Sequence, residues 1–287
     1  MQTSRRAASA VLLSLLPLVL LLVPHFACAD QITAWVGKTG DVRFGRGAQL
    51  DAWPPRLGGS EPLRLELNAH ATDWQHIPQA DFVVSKLAKP DAQSRVVAAD
   101  LIVPGETPAT MSVFEQLRLE GTGLTATYDL RAKDATKLCG LQLSLLLESA
   151  QYAGTTVTFT GLKTVVAGRT APDLIPYGTP PPTDGLPDFV EAAQTTAALP
   201  LAVGANHQLA DVYCDKLTVT GANALPFTLT SARPMRVVIQ DNRKWGVEQF
   251  EIRLAFIMEA TGRVVPAETQ FHAGVTVDVG EGLAFHP

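Results

Sequence analysis

The stretch Phe114-Glu115-Gln116-Leu117-Arg118-Leu119-Glu120-Gly121-Thr122-Gly123-Leu124-Thr125-Ala126-Thr127-Tyr128-Asp129-Leu130 decides the fold. Two runs with an alternating apolar and polar pattern, Phe114 to Glu120 and Leu124 to Leu130, flank a Gly-Thr-Gly turn. Alternation with a period of two sends successive side chains to opposite faces of a strand, and glycine lets the chain reverse between two strands. Working outward, the same reading yields strands at Pro62 to Leu67, Asp81 to Leu87, Arg95 to Val103, Gly140 to Glu148, Thr155 to Thr160, Asp215 to Thr220, Met235 to Gln240, Gln249 to Met258 and Gly274 to Val279. Clusters of Gly, Pro, Asn and Asp separate nearly all of them. In Gly140 to Glu148, Leu141, Leu143, Leu145 and Leu147 share one face, opposite Gln142, Ser144 and Leu146. Only Phe189 to Ala198 has a helix-friendly composition, with Asp188 as cap and Glu191 three residues later, and it predicts a short helix on a connection.

Sheets with one apolar face must pack against another sheet, so many short strands imply an all-β sandwich. The expected organisation is one large antiparallel β-sandwich domain over residues 30–287, after a cleaved signal peptide at 1–29. Residues 170–188, rich in proline, form a long loop insertion or a linker between two smaller domains; proline makes the segment extended in either case.

The signal rests on a basic start at Met1 to Arg6, a Leu/Val run at Val11 to Val23, and Ala27-Cys28-Ala29 before Asp30, which fits a small-x-small cleavage site. The run is too short for the roughly 20 residues that span a bilayer. Export implies a secreted or periplasmic protein, and no later apolar run is long enough to cross a membrane. The chain has 23 basic and 28 acidic residues and a net charge of -5. Without Arg5 and Arg6 that becomes 21 against 28, or -7. No cluster of Lys or Arg stands out, which argues against a nucleic-acid partner. Cys139 and Cys214 remain as an even pair in an oxidising compartment, and a disulfide between them is expected. Closure of so long a loop stabilises by about 4 kcal/mol in the chain-entropy account.

Sharp catalytic motifs are absent: no Gly-x-Ser-x-Gly, His-Glu-x-x-His, phosphate-binding Gly-x-x-x-x-Gly-Lys or paired Cys-x-x-Cys occurs. Gly121 to Ala126 imitates a dinucleotide fingerprint, but a strand follows where a helix N-terminus must receive the pyrophosphate. No cofactor is expected. His70-Ala71-Thr72-Asp73-Trp74-Gln75-His76 offers two imidazoles and a carboxylate, yet its spacing matches no standard metal site. It reads as a polar loop anchored by Trp74, and no metal is expected.

Met235 to Phe256 reads as strand, polar turn, strand. On the second strand Phe250, Ile252, Leu254 and Phe256 face inward, leaving Gln249, Glu251, Arg253 and Ala255 outside. Sugars present an apolar ring face and a rim of hydroxyls, so Trp245 could stack on the ring while Asp241, Asn242 and Arg243 bond the rim. An enzymatic version takes two of Asp241, Glu248 and Glu251 as acid and base of glycosidic cleavage. The alternative is a structural hairpin in which Asp241 and Asn242 satisfy turn amides, Arg243 is ion-paired and Trp245 covers the sandwich edge.

Leu117 to Leu130, Leu141 to Glu148 with Gln151-Tyr152-Ala153-Gly154, and Gln240-Asp241-Asn242-Arg243 leading to Phe250-Glu251-Ile252-Arg253 together resemble large β-sandwich accessory domains. Such domains precede the catalytic barrel in some secreted bacterial polysaccharide-degrading enzymes. The resemblance implies a carbohydrate context and an accessory role, with a polysaccharide or oligosaccharide as partner. It transfers no catalytic residue, because this chain lacks the barrel. The expected function is therefore a secreted, non-catalytic, carbohydrate-associated protein. A polysaccharide lyase or glycoside hydrolase acting with carboxylates on a sheet face is the second reading, and a structural or surface-assembly protein with pairing strand edges the third.

Overall fold

A computed structural model describes residues 40–44, 50–53, 63–161, 163–165, 189–191, 194–221, 224–280 and 282–285. The expected signal peptide and the proline-rich 170–188 lie outside the described residues. The strands are, in order, Gly40–Phe44 (β1), Leu50–Trp53 (β2), Leu63–His70 (β3), His76–Ile77 (β4), Val83–Asp91 (β5), Ser94–Val103 (β6), Ala109–Glu120 (β7), Gly123–Ala132 (β8) and Thr136–Glu148 (β9). A single helical turn, Ser149–Tyr152 (α1), precedes Thr156–Thr160 (β10), Lys163–Val165 (β11), Phe189–Glu191 (β12), Thr195–Ala198 (β13), Gln208–Thr220 (β14), Phe227–Asp241 (β15), Gln249–Val265 (β16), Gln270–Asp278 (β17) and Leu283–Phe285 (β18). Every strand expected from alternation is present. The expected helix at Phe189 to Ala198 is not: Phe189–Glu191 and Thr195–Ala198 are strands. Pairing of Thr195–Ala198 with Phe159–Thr156 of β10 overrides the weak local preference.

Sixteen strands join one curled, almost wholly antiparallel sheet, in the order β18-β1-β2-β3-β9-β16-β15-β17-β8-β7-β6-β5, with β14, β10 and β13 attached beyond β15 and β4 attached to β3. The sheet forks at β15. Its second half, Arg236 to Asp241, pairs with β16, while Thr228 to Ser231 pairs with β17. Pro234 sits in the gap between the two ladders, where its missing N–H leaves no bond unmade. The hairpin of β7 and β8 turns at Gly121, whose φ of 61° costs glycine little.

One apolar core fills the space enclosed by the curl. Leu141, Leu143, Leu145 and Leu147 of β9 join Ile252 and Leu254 of β16, Leu117 and Leu130 of the β7–β8 hairpin, and Phe271 and Val275 of β17. Each such side chain contributes roughly 1.5–3 kcal/mol on burial. Among the described residues no helix is long and apolar enough to cross a membrane.

The expected disulfide is overturned: Cys139 and Cys214 are buried free thiols. Between β9 and β14 lie β16 and β15. Three strand spacings of about 4.8 Å separate the two cysteines laterally, far beyond the roughly 4.4–6.8 Å between Cα atoms that a disulfide spans. Cys139 Sγ instead donates to the Ala260 carbonyl at 3.7 Å, and burial pushes the Cys214 thiol up to about 12.

Candidate functional site

The face of β3, β9, β16, β15 and β14 opposite the core is polar, and strand register sets its side chains in rows. One row runs Glu66, Ser144, Arg253, Val238, Asp211 and the next Asn68, Gln142, Ala255, Arg236, Tyr213. Directly opposed residues share a face, and the part of this surface on β16 and β15, with Arg253, Val238 and Arg236, is the floor of a cleft of about 740 Å³. Its walls come from the Thr72–Trp74 turn with His76 on one side, and from His207 and the Asn242–Trp245 turn on the other.

The first wall is built around His70, the last residue of β3. His70 pairs with Gly140 across β9 and with His76 across β4. A Cβ on Gly140 would stand 2.9 Å from His70 Nδ1 and 3.0 Å from Gln142 Oε1, so only glycine leaves room for the ring. Gln142 Nε2 lies 3.3 Å from His70 Nδ1, the His76 ring stacks on His70 at 5.1 Å, and Trp74 meets it edge-on at 5.4 Å. Asp73 and Trp74 both have positive φ, 59° and 60°. That conformation is costly for residues with a side chain, and it leaves Trp74 40% exposed at the cleft. Burial, then the neighbouring Arg253 and His76 charges, lowers the His70 pKa to about 4. Partial burial also lowers His76. Both rings are therefore neutral at pH 7.

The floor holds one tight ion pair. Glu251 is 4% exposed and accepts from Arg253 Nη2 at 2.7 Å, Ser144 Oγ at 2.6 Å and Asn242 Nδ2 at 3.1 Å. Burial opposes its charge, but Arg253 and the hydrogen bonds outweigh that and hold the carboxyl below its ordinary range. Glu251 was expected on an outside face; that face bears the cleft, and Glu251 is buried beneath it. Arg236 forks onto Asp211 at 2.9 and 2.8 Å.

The second wall shows which expected site residues converge. Asn242 and Trp245 line the cleft, and Trp245, 54% exposed, meets the His207 ring edge-on at 4.8 Å. Asp241 and Arg243 do not line it. Arg243 forks onto Asp241 through Nε and Nη2, both at 2.8 Å, donates to the Pro200 and Leu201 carbonyls at 2.8 and 3.1 Å, and lies 4.5 Å over the Phe250 ring. Those hydrogen bonds from Arg243 hold Asp241 low. The pair ties the turn to the segment at 200–201. None of Asp241, Glu248 and Glu251 lines the cleft, and Glu248 accepts from Ser149 Oγ at 2.9 Å. Glycosidic cleavage needs two carboxyls flanking one bond, one of them kept protonated, and these three do not assemble that pair.

Alternation did not reveal His207, Arg236 or the convergence of His70, Trp74 and His76. The segment expected to be a polar loop is the end of β3, a strained turn and β4. Its one sequence signal was phase: His70 continues the polar alternation of Glu66 and Asn68. Among the described residues no group of three or more His, Cys, Asp or Glu could hold a metal ion.

No protein-family model matches the sequence, and no curated protein matches it. Solved structures do resemble the fold. Galactose 1-epimerase from Lactobacillus acidophilus is 9% identical with a TM-score of 0.51, over 86% of this chain and 93% of that one. A galactose mutarotase-like protein from Lactobacillus casei is 13% identical with a TM-score of 0.47, over 85% of this chain and 98% of that one. At these identities the likeness is one of fold: this chain has the curled β-sandwich seen in the galactose 1-epimerase.

Proposed function

We propose that the chain is an exported, carbohydrate-associated protein whose cleft binds sugar without cleaving it. The observation that carries this reading is the pair of exposed tryptophans, Trp74 and Trp245, set on histidines at the two walls of one cleft. Indole faces match the apolar faces of sugar rings, and the Asn, Gln, His and Arg side chains of the floor match a rim of hydroxyls. The shared fold with a galactose 1-epimerase supports the same ligand class, and the N-terminal sequence supports export. Among the described residues no carboxylate lines the cleft, which favours binding over glycosidic hydrolysis or lyase chemistry. A second reading, epimerisation at the sugar's anomeric carbon, is favoured by the stacked neutral imidazoles of His70 and His76, which could give and take a proton at one site.

A glycan-array screen of the purified protein, with reducing-end release and polarimetric mutarotation followed on the bound sugars, tests these readings. Binding without product or change in rotation is the expected result. Accelerated mutarotation abolished by His70→Ala would establish the epimerase. Release of reducing ends would overturn the non-catalytic reading, and failure to bind any glycan would overturn the carbohydrate assignment.

A further inference from the structure

We infer that the cleft takes an acidic oligosaccharide, a chain of several sugar units with an anionic substituent received by Arg253; this rests on the carbohydrate reading above. Two observations carry it. The first is length. Trp74 stands on His70, whose row continues through Gly140 to Met258, and Trp245 stands on His207, beside the row that runs from Gln208 through Gln240 to Glu251. Seven residues of β16 separate Met258 from Glu251, which at about 3.3 Å per residue is roughly 20 Å. Platforms rooted on rows that far apart suit several rings in line better than one hexose.

The second observation is an excess of donors. Arg253 lines the cleft with its side chain 11% exposed, and Glu251 is its one acceptor among the described residues, reached through Nη2 alone. Its Nε is buried without a partner. A guanidinium has five N–H donors in a fixed fork, and leaving them unmet in a dry site is unfavourable. Among the described residues no Asp or Glu lines the cleft, while both Arg236 and Arg253 do. A neutral sugar offers the unmet edge of Arg253 only uncharged hydroxyl acceptors. A carboxylate or sulfate only accepts, and it matches the geometry of a guanidinium edge.

Isothermal titration of the full chain, in parallel with tryptophan fluorescence, tests this with an oligogalacturonide of about five units, its methyl ester, a sulfated galactan of similar length, a neutral cello-oligosaccharide and free galacturonate. The free acid should bind at least tenfold more tightly than its methyl ester and at least tenfold more tightly than the monomer. Arg253→Lys keeps a cation against Glu251 but loses the fork, and should weaken binding of the acid at least fivefold in a protein shown to be folded by circular dichroism. The ester contrast needs no variant and decides the matter if that variant misfolds. Tighter binding of the sulfated chain supports the inference and assigns the anion as sulfate; tighter binding of the uronate assigns it as carboxylate. Equal affinity for acid and ester, or for monomer and oligomer, overturns the inference and leaves the sugar-binding reading intact. Binding of none of the saccharides overturns both.

Discussion

Glu115 and Glu251 are both buried carboxyls on long antiparallel strands, and the molecule treats them in opposite ways. Glu251 lies under the cleft with a cation, a hydroxyl and an amide directed at it, and it is held ionised. Glu115 lies on the core face of β7, in phase with Val113, Leu117 and Leu119, and is fully buried. Gln79 Nε2 donates to its Oε2 at 3.2 Å, and the Tyr128 hydroxyl stands opposite it across the ladder. Burial pushes the Glu115 carboxyl up to about 8, so it carries its proton at neutral pH. A buried acid is thus charged where the fold supplies a cation and neutral where it does not. The polar burial that bears on ligand binding is the one built from converging donors.

Removing either partner of the cleft pair should produce the largest effect. Glu251→Ala leaves the Arg253 guanidinium buried without its acceptor and should cost about 3–5 kcal/mol in urea unfolding. Replacing both together, as Glu251→Gln with Arg253→Met, should cost clearly less, because no lone charge stays behind. A loss under about 1 kcal/mol for the single variant would mean that water already screens the pair, and the contrast with Glu115 would fail.

Acidity separates the two groups by sign. Glu251, lowered from 4.5, contributes stability that is present above its unfolded pKa and lost as pH falls through the folded one. Glu115, raised from 4.5 to about 8, contributes stability that is complete below pH 4.5 and is lost as pH rises through about 8, at up to about 1.4 kcal/mol per pH unit in that window. Glu115→Gln should flatten this fall, leaving the variant more stable than the parent at pH 8 and little changed at pH 5. Parallel stability curves for the two proteins from pH 5 to pH 9 would show that Glu115 is ionised and solvated.

A smaller effect is expected where backbone and cleft meet. Gly140→Ala should cost roughly 1–3 kcal/mol by overpacking and displace the His70 ring, seen as a shifted imidazole resonance. Gly274→Ala on β17, where the nearest atoms to a new Cβ are 3.9 Å away, is the matched control and should be nearly neutral. If both variants behave alike, Gly140 does not hold the His70 ring in place.

These contrasts also mark what alternation could disclose. It located the strands and the inward leucines of β9, because a period of two is a property of one strand and its two faces. It placed Glu251 and Arg253 correctly on one face, yet read that face as solvent, because period says which side a residue takes and nothing of what covers it. Thr195–Ala198 was misread for a related reason: its strand exists through pairing with β10, a contact about 40 residues away that composition does not register. The Asp241-Asn242-Arg243-Trp245 cluster was divided by the fold, with Asp241 and Arg243 turned to the segment at 200–201 and Asn242 and Trp245 to the cleft. Turn residues of these types serve both uses, and only the position of a distant segment decides between them.

Trp245→Ala puts that division to its finest test. With half its side chain exposed and one edge contact to His207, Trp245 should cost no more than about 0.5 kcal/mol of stability when truncated, as for other surface changes. Stacking of a ring face on indole is a contact that the alanine cannot make, so affinity for a bound saccharide should fall about tenfold, equivalent to about 1.4 kcal/mol. The neighbouring Arg243→Ala should do the reverse, destabilising the turn by removing a buried ion pair and two carbonyl contacts. If Trp245→Ala destabilises as much as Arg243→Ala and binding falls only in proportion to the unfolded fraction, Trp245 is part of the scaffold and the cleft has one aromatic platform, at Trp74.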